Sequence, residues 1–544
     1  MTILIIDALG SERGFRRFSR DVIGSGPRMV AGVLEKHKIQ SKIMTAEQFL
    51  NKKIVRISAN HLLVSAMTMD FPAVEQIVQK WNKLQRITKT SSIKILGGPI
   101  TAAGPNILLN LDFDIGIIGE AEGTLTELIQ NKIFNGKITF NILESTKGLM
   151  YRLENEIIEN ENRQYLTKEE LNAYKASTKR VQDYVFYRAA RIFVECVRGC
   201  SNFLRPKVQL PDGRLCNNCG TCSAPELSRR MDCPIDIPPG CGYCAVPSIY
   251  GPPRSRSVKN IITEIKELIE LGATRFNLGA SDFMDYQREE QVAPKPLTDP
   301  KYPPPNYQQI ESLLSKIADL ISGTDIYVFI ENIKASLFTE QAASLISAYL
   351  PNTLLSIGAE TGSKIHSKQL GRSSSPSEVE KAVQIARRHN LRVHTYFIHG
   401  LPGQTLQTAI ETRRFMKKLA QQGIDKITVY KFRPLPQSAF EEFPIPPSSS
   451  NDKASDIIAQ TAIKINREKK RELIGNTERV IVSELSKNDK KKAIGYPLRG
   501  GPTILIDNAA KYLHKIVHVQ IDKALSDKLV GGHVISSINS SSNP

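Results

Sequence analysis

The sequence lacks the features that would direct a chain into or across a membrane. No stretch of its 544 residues approaches the ~18 consecutive apolar residues that a transmembrane helix requires. The first residues, MTILIIDALG, are apolar but lack the basic start and the small-residue cleavage site of a signal peptide. We therefore expect a cytoplasmic protein whose first apolar run is a β-strand.

Cysteine is missing from most of the chain. All eight cysteines lie between Cys196 and Cys244. In a cytoplasmic protein disulfides are rare, and clustered cysteines more commonly bind metal. The distribution therefore predicts a single metal-binding segment and argues against a disulfide-stapled domain.

Acidic side chains are too few to balance the basic ones. Lys and Arg total 73 against 55 Asp and Glu, which gives a net charge of +18. Such an excess favours polyanionic partners, either nucleic acid or an anionic membrane surface. The alternative is a lysine-rich proteome whose proteins are basic without any such partner.

Alternating strand-like and helical runs predict an α/β protein with several domains. The predicted barrel strands cover 191–196, 274–279, 325–331, 354–360, 392–398 and 426–432. The predicted division of the chain is a doubly wound, Rossmann-like domain (1–145), a connection (146–185), a partial (β/α)6 barrel (186–442) with a cysteine-rich insertion (201–240), a linker (443–470), a small all-β barrel (471–536) and a disordered tail (537–544).

The insertion has the cysteine spacing of a metal site. Cys216, Cys219 and Cys222 follow C-x2-C-x2-C, and Cys233 is succeeded by proline. Thiolates at this spacing bind separate irons of a 4Fe–4S cube in bacterial ferredoxins, although ten residues here precede the last cysteine, where the ferredoxin run has three. Four thiolates also suit zinc. Cys196 is an alternative ligand, a reactive thiol or a small buried side chain.

The remaining cysteines flank the insertion. Cys200 ends VECVRGC, and Cys241 and Cys244 form PGCGYC, so that without residues 201–240 the chain reads RGC-CGYC. This resembles the C-x3-C-x2-C motif that follows the first barrel strand in radical S-adenosylmethionine (SAM) enzymes. The resemblance implies a 4Fe–4S cluster on these three cysteines, SAM on its open iron, and an electron donor such as ferredoxin or flavodoxin. One-electron cleavage of SAM would give a 5′-deoxyadenosyl radical.

Further segments resemble that superfamily in the same order. NLGAS (277–281), SIGAETGSKIHSKQLGR (356–372) and FIHGLPGQT (397–405) are similar to its second-, fourth- and fifth-strand segments. The resemblance implies that Gly279, Ala280 and Ser281 face the methionyl group of SAM. It implies that Glu360 and Ser363 occupy the ES/GS positions of the SAM-binding segment, and that Glu360, Arg372 and the Gly400–Gly403 turn help to place the nucleoside. No residue is assigned a catalytic role.

The N-terminal domain resembles the cobalamin-binding domain that precedes many radical SAM cores. The similar segments are LLVSAMTMD (62–70) and IIGEAEGTLTELI (117–129). The D-x-H-x-x-G motif is absent, so the alternatives are cobalamin bound without a histidine ligand and a fold without cofactor. Methylthiotransferases carry three cluster cysteines in this domain, and this chain has none before Cys196. It is therefore not a standard methylthiotransferase.

The C-terminal segment from GNTERVIVSEL to LVGGHVI resembles the TRAM module, an OB-like barrel that binds RNA in relatives. The resemblance implies phosphate contacts from Lys487, Lys490, Lys491, Lys492 and Arg499. Loops of solvated lysine are the alternative.

Three functions compete. The expected one is a radical SAM enzyme that modifies, and most simply methylates, a base of RNA or tRNA. The second is a radical enzyme that forms carbon–carbon bonds or rings in archaeal membrane lipids, whose anionic head groups would suit a basic surface. The third, a non-catalytic RNA-binding or electron-transfer iron–sulfur protein, leaves the ordered core motifs unexplained.

Overall fold

The computed structural model describes residues 2–16, 20–53, 57–89, 92–134, 140–154 and 156–537. The chain forms two compact units, Met1–Tyr187 with Lys259–Leu271, and Arg188–Val258 with Gly272–Pro544. In the described ranges, no helix is both long enough and apolar enough to cross a membrane.

The first unit is built on a mostly parallel sheet. Its strands are β1 (Thr2–Asp7), β3 (Gln40–Thr45), β4 (His61–Ser65), β5 (Lys94–Gly97), β6 (Ile115–Ile117), β7 (Leu149–Leu153) and β8 (Glu156–Glu159). The short strand β2 (Val22–Ile23) is not part of this sheet. The sheet order is β3-β1-β4-β5-β6-β7-β8, and β3 to β6 are parallel. Ile3, Leu4 and Ile5 are buried in succession, as expected of a strand that is covered on both faces.

Helices cover this sheet. They are α1 (Gly26–Lys36), α2 (Ala46–Asn51), α3 (Phe71–Thr88), α4 (Asn106–Leu111), α5 (Ala121–Gln130), α6 (Phe140–Ser145) and α7 (Lys168–Asn172). Trp81 on α3 is fully buried, and its indole N–H donates to Ser92 Oγ (3.0 Å). The segment predicted as a connection, 146–185, differs from that prediction because its apolar residues Leu149–Tyr151 are buried and form β7 beside β6.

The second unit contains a curled sheet. Its strands are β9 (Arg191–Arg198), β10 (Arg254–Ser255), β11 (Arg275–Ala280), β12 (Tyr327–Ile333), β13 (Leu354–Glu360), β14 (Arg392–His399) and β15 (Lys426–Lys431). The order is β10-β9-β11-β12-β13-β14-β15, and all neighbours pair in parallel except β10 with β9. The predicted parallel half-barrel is confirmed, and each predicted strand coincides with an observed one to within about two residues.

Helices follow the strands of the half-barrel. They are α8 (Val246–Tyr250), α9 (Val258–Glu270), α10 (Tyr307–Ile321), α11 (Glu340–Tyr349), α12 (Lys364–Gln369), α13 (Pro376–Arg388), α14 (Leu406–Gln421) and α15 (Lys453–Arg471). Of these, α9 belongs to the first compact unit. The predicted linker, 443–470, is wrong for most of its length, because α15 packs on the edge strand β15. The Asn466 side chain bonds both backbone groups of Ile427, at 3.0 and 2.7 Å, and Ile458, Ala462 and Ile465 supply a buried helical stripe.

The C-terminal segment closes into a small barrel, as predicted. Its strands are β16 (Thr477–Leu485), β17 (Ala493–Pro497), β18 (Thr503–Asp507), β19 (Ile516–Ala524) and β20 (Leu529–Ser537), joined in the order β16-β17-β18-β20-β19. Val480, Ile504 and Val519 are among its fully buried core residues. Beyond Ser537, the predicted tail lies outside the described residues.

The small barrel packs on the amino ends of the half-barrel strands. The Arg275 guanidinium, at the start of β11, lies 5.6 Å from the ring centre of Tyr496, and that of Arg499 lies 5.6 Å from the ring centre of Tyr327, the first residue of β12. Arg392, the first residue of β14, donates to the Gly500 carbonyl (2.9 Å). The carboxyl ends of the strands are therefore at the opposite end from this barrel.

Candidate active site

Three cysteines gather at the carboxyl end of β9, although forty residues (201–240) separate the first from the second. Asn202 joins two of them: its backbone N–H donates to Cys200 Sγ (3.4 Å) and its side-chain Nδ2 donates to Cys241 Sγ (3.3 Å). The Cys244 N–H donates to the Cys241 carbonyl (2.8 Å). The two ends of the insertion therefore lie next to each other.

The surroundings of these thiols are buried. Burial raises the pKa of Cys200 and of Cys244 to about 12. Across the described ranges, no three His, Cys, Asp or Glu side chains converge on a point that would hold a single metal ion. The ligands of a 4Fe–4S cube instead bind separate irons and accept N–H bonds at sulfur. The donation from Asn202 to two of the sulfurs is the observation that fits Cys200, Cys241 and Cys244 to such a cluster.

Gly199 is required by the turn that presents Cys200. Its φ is +88°, and a Cβ there would lie 2.3 Å from the Pro252 carbonyl oxygen. The Cys200 N–H donates to the neighbouring Gly251 carbonyl (3.0 Å). The RGC motif therefore has a steric reason for its glycine.

A buried network of charged side chains lies next to the loop that carries Cys200. Ser201 Oγ donates to Asp285 (2.8 Å), and the Lys334 ammonium, just after β12, contacts Ser201 Oγ (2.7 Å), Asp285 (3.2 Å) and Asp282 (3.1 Å). Burial works to lower the pKa of Lys334, but Asp285 and Asp282 outweigh it and raise that pKa above the usual lysine value. No sequence motif predicted this network, although Asp282 directly follows the NLGAS segment and could have indicated an acidic group near the cluster loop.

Two residues predicted to bind the nucleoside meet at the end of β13. Arg372 donates to Glu360 Oε1 (3.1 Å), to the Gly358 carbonyl (2.7 Å) and to the Tyr243 hydroxyl. Burial raises the pKa of Glu360, and Arg372 opposes that shift. Glu360 has a φ of +60°, a strained value that is typical of functional sites. The buried Arg372 Nε has no hydrogen-bond acceptor among the described residues.

The other predicted SAM-binding residues lie around the same rim. A Cβ on Gly279 would approach Phe193 Cδ1 to 3.0 Å, and the Ala280 carbonyl accepts from Asn332 Nδ2 (3.2 Å), while Ser281 follows directly. Ser363 caps α12 by accepting from the His366 N–H (3.5 Å). Ser363 therefore caps α12, and its predicted contact with the cofactor stays a prediction.

The fifth-strand turn packs on the start of α12. His366 Nε2 lies 3.0 Å from the Pro402 carbonyl oxygen, and a Cβ on Gly403 would lie 3.7 Å from the same nitrogen. The Gly400 N–H donates to Gln404 Oε1 (2.9 Å). Segments 356–372 and 397–405, which are distant in sequence, thus form one side of the rim.

The cysteines of the insertion form a second group. Burial raises the pKa of Cys222, with a further contribution from the charges of Cys216, Cys233 and Cys219 and an opposing one from Arg205. Cys219 is exposed, and the hydrogen bond with Thr221 lowers its pKa. All eight cysteines belong to the described residues, and none of them forms a disulfide.

Arg205 organises this second group. It is buried, and its Nη1 lies 3.9 Å from Cys222 Sγ. The guanidinium also donates to the carbonyls of Phe203 (2.5 Å), Arg230 (2.8 Å), Met231 (2.8 Å) and Ile237 (3.0 Å). The Arg205 guanidinium therefore joins the first residues of the insertion to its last third and lies next to a thiol. No local sequence motif predicted this role.

Cys196 stands apart from both groups. It is fully buried on β9, and its thiol donates to the Val194 carbonyl (3.6 Å). This environment favours the interpretation of a small buried side chain over that of a reactive thiol.

The predicted RNA-contacting residues lie in two segments, with the lysines between β16 and β17 and Arg499 after β17. Arg499 donates to the Tyr327 hydroxyl (3.2 Å) within the contact between the two barrels, and Lys492 pairs with Asp507 (3.0 Å). Lys490 and Lys491 are exposed between β16 and β17. Arg499 therefore serves packing, while the two lysines are accessible.

Comparison with known proteins gives strong similarities along the whole chain, among them the "Uncharacterized protein MK0932" of Methanopyrus kandleri, which is 38% identical over 535 residues, 98% of this chain and 96% of that protein. The "Uncharacterized protein MJ1620" of Methanocaldococcus jannaschii is 43% identical over 535 residues, 98% of each chain. The radical SAM superfamily matches residues 233–416. That match begins at Cys233 and omits Cys200, as expected if the insertion interrupts the cluster motif.

Two more distant similarities are informative. A tRNA-2-methylthio-N(6)-dimethylallyladenosine synthase of Sulfurihydrogenibium sp. is 23% identical over 302 residues, 54% of this chain and 63% of that protein. The solved structure of the radical SAM methyltransferase TsrM from Kitasatospora setae, with cobalamin and a [4Fe-4S] cluster bound, has a TM-score of 0.55. The two chains are 12% identical, with 81% of this chain and 74% of TsrM covered, so the likeness concerns the fold.

Proposed function

Because the chain belongs to the radical SAM superfamily and to the same family as MJ1620, we propose that it is a radical SAM enzyme that modifies, and most simply methylates, a base of RNA or tRNA. The observation that carries the enzymatic part is the meeting of Cys200 and Cys241 at Asn202, across a forty-residue insertion.

The proposed chemistry needs a 4Fe–4S cluster and SAM, which together would supply a 5′-deoxyadenosyl radical when reduced by a donor such as ferredoxin or flavodoxin. The chain's own residues bind and shield. Cys200, Cys241 and Cys244 hold the cluster, and Tyr243 and Glu360 fix the Arg372 guanidinium at the rim. Buried surroundings limit the competing reactions that an exposed radical would undergo.

Four features support RNA as the substrate. A tRNA-modifying synthase is among the relatives, the net charge is +18, and Lys490 and Lys491 are exposed on the small barrel. A groove of about 660 Å³ between α14 and α15 is lined by the acidic Glu468 and Glu472 and by four basic side chains, Arg413, Lys417, Lys464 and Lys469. Such basic side chains attract a phosphate backbone without reading sequence.

The test uses protein reconstituted without oxygen and SAM labelled in its methyl group. Unmodified RNA and membrane lipid are offered in parallel, and label in each fraction is counted together with 5′-deoxyadenosine. Label in RNA is expected. Lipid-dependent 5′-deoxyadenosine without label transfer would overturn the RNA proposal and favour carbon–carbon bond formation in lipids.

We also propose that the insertion holds a second 4Fe–4S cluster on Cys216, Cys219, Cys222 and Cys233. The mutual electrostatic influence of these four thiols and the approach of Arg205 to Cys222 support it. Cys222→Ala is expected to lower bound iron by about one cluster per chain and to leave the SAM-perturbed electron paramagnetic resonance signal of the first cluster. Cys196→Ala is the matched control. Wild-type protein that holds zinc instead of iron on these four cysteines would overturn the assignment.

Cobalamin in the first unit is a further proposal. It is supported by the uncovered backbone at the carboxyl end of β5, where a Cβ on Gly97 would meet no atom within 4 Å. Titration of the full-length protein with hydroxocobalamin, followed by visible absorption, tests it. A spectrum identical to that of free hydroxocobalamin would reject cobalamin binding.

A further inference from the structure

The helix α14 runs along the outside of the half-barrel from its carboxyl end to its amino end. Thr405, which caps the start of the helix, follows the turn at the carboxyl end of β14. Beyond the end of the helix, the Asp425 N–H donates to the Val393 carbonyl (2.9 Å), at the amino end of the same strand. The 16 residues of α14 span ~24 Å, close to the ~26 Å of the 8 residues of β14.

The helix α15 runs beside α14 in the same direction. Near its start, the Ser455 hydroxyl oxygen accepts from Gln404 Nε2 (3.2 Å), in the turn that follows β14. In its second half, Asn466 bonds Ile427 at the amino end of β15. The groove between the two helices therefore lies along the outer flank of the half-barrel. Its lining residues lie between 413 and 421 and between 460 and 472, on the side toward the small barrel.

Three basic side chains of this groove are available to a ligand. Arg413 and Lys417 are four residues apart, which places them on one face of α14, and Lys464 faces them from α15. Lys469 pairs with Glu472 (3.0 Å), whereas in the described ranges Arg413, Lys417 and Lys464 form no ion pair. Lys417 and Lys464 are exposed, and Arg413 is half-buried. The groove therefore holds three accessible cations that can bind an anion.

The shape of the groove favours a nucleic-acid strand over a membrane surface. Its volume is about 660 Å³, and its lining residues Thr461 and Ile465 are buried, so they form its bottom while the longer basic side chains form its walls. A protein that binds a bilayer surface inserts large apolar side chains. The apolar side chains that line this groove are the small Ala420 and the buried Ile465. A concave basic groove instead fits the phosphates along one strand.

The two regions that the proposed function requires lie at opposite ends of the half-barrel. The small barrel, with the exposed Lys490 and Lys491, packs on the amino ends of the strands. Cys200, Cys241 and the rim lie at the carboxyl ends. An RNA that contacts the small barrel and presents a base at the rim must therefore run along the outer flank, and the groove between α14 and α15 lies on that flank.

We propose that the groove between α14 and α15 binds the sugar–phosphate backbone of the RNA substrate and guides the strand from the small barrel toward the rim. Arg413, Lys417 and Lys464 contact phosphates, and Glu468, which lines the same groove, opposes them. Contacts of this kind fix the register and direction of a strand without reading its bases. This inference rests on the proposed RNA function.

The test measures binding of a dye-labelled single-stranded RNA of about 20 nucleotides to the anaerobically reconstituted full chain at several salt concentrations. One variant combines Arg413→Gln, Lys417→Gln and Lys464→Gln. Because each phosphate contact contributes ~0.7 to the slope of log K against log salt, the slope of this variant is expected to be smaller by ~2. Between ~50 and ~200 mM salt, the variant should therefore lose about 16-fold less affinity than wild type does.

A control variant removes the same amount of charge outside the groove. It combines Lys301→Gln, Arg388→Gln and Lys418→Gln, three exposed side chains that each pair with a glutamate. This control is expected to keep the wild-type slope. Glu468→Gln removes a negative charge from the groove and is expected to strengthen RNA binding roughly 2- to 5-fold.

A protection measurement needs no variant. The full chain is acetylated at its exposed lysines with and without the same RNA, and peptide mass spectrometry gives the extent of acetylation at each lysine. RNA is expected to protect Lys417 and Lys464. Lys418, the neighbour of Lys417 that pairs with Glu380 outside the groove, is expected to be acetylated equally in both samples.

The outcomes separate this inference from the proposed function. A triple groove variant with the wild-type slope, in a protein that still transfers label to RNA, would overturn the groove and leave the proposed function standing. A wild-type protein that neither binds nor labels RNA would overturn both. A triple groove variant that loses binding to phosphatidylglycerol vesicles but keeps wild-type RNA binding would assign the groove to a membrane surface and overturn the inference.

Discussion

The carboxyl and amino ends of the half-barrel use buried charge differently. At the carboxyl end, Lys334, Asp282 and Asp285 surround the loop of Cys200, and Arg372 joins Glu360 to Tyr243. At the amino end, Arg275 lies between the rings of Tyr496 and Phe329, at 5.6 and 6.0 Å from their centres, beside the buried Leu498.

The difference separates orientation from stability. Ion networks with fixed geometry hold side chains in one arrangement, although replacing a buried network by apolar residues is often neutral for stability. Cation–aromatic and apolar contacts at the amino end bury surface and fasten the small barrel. Substitutions at the carboxyl end should therefore abolish the formation of 5′-deoxyadenosine. Substitutions at the amino end should lower the free energy of unfolding and leave that reaction intact.

The largest expected effect is at the cluster. Cys241→Ala removes one of three ligands, so dithionite-driven formation of 5′-deoxyadenosine from SAM is expected to fall to background. Liquid chromatography with mass spectrometry measures it. Cys196→Ala changes a cysteine that is buried on β9, and this variant is expected to keep forming 5′-deoxyadenosine. Unchanged product from Cys241→Ala would refute the cluster assignment.

The rim ion pair should follow. Arg372→Gln leaves Glu360 buried without its cation, a loss of ~3–5 kcal/mol for a broken buried pair. If part of that loss falls on SAM placement, 5′-deoxyadenosine formation drops by roughly 100-fold. Arg388→Gln removes an exposed pair with Glu340 and serves as the control, with little expected effect on stability because solvent screens such a pair. Equal activity of both variants would contradict a role for the rim.

At the amino end, Tyr496→Ala is expected to lower the free energy of unfolding by about 3 kcal/mol, because a large buried ring and its contact with Arg275 are lost. Urea unfolding of the apoprotein measures it. Leu525→Ala, on the exposed surface of the same barrel, is expected to change stability by less than ~0.5 kcal/mol. The comparison fails if Tyr496→Ala leaves stability intact but abolishes 5′-deoxyadenosine formation by the folded protein.

The last prediction concerns the pH dependence of stability. Burial lowers the pKa of Lys470 to about 8, helped by Lys426 and Arg392 and opposed by Asp425 and Asp527. An unfolded lysine titrates near ~10.4, so the unfolded chain binds more protons between these values and stability from this group rises with pH, by up to ~3 kcal/mol. Lys470→Met is expected to lack this rise. Melting temperatures of both proteins from pH 7 to 10 test it; parallel curves would contradict the burial of a charge here.

Sequence reasoning succeeded where the pattern is local. The apolar runs of the half-barrel strands repeat with the period of a strand, and the observed strands coincide with them. It failed at 443–470, where proline and serine at the start of the segment obscured the buried stripe of α15. It also missed Asn202, Arg205 and Lys334, because each acts on residues that are distant in sequence.

The sequence by itself determined the cysteine spacing, the order of the motifs and the strand positions, since these depend on neighbouring residues and on periods of 2 and 3.6. Only the tertiary structure decided that Asn202 bridges Cys200 and Cys241, that Arg372 reaches Tyr243 and that the small barrel lies at the amino ends. Those contacts join residues tens to hundreds of positions apart. Their geometry arises from packing of the whole sheet, which no local pattern encodes.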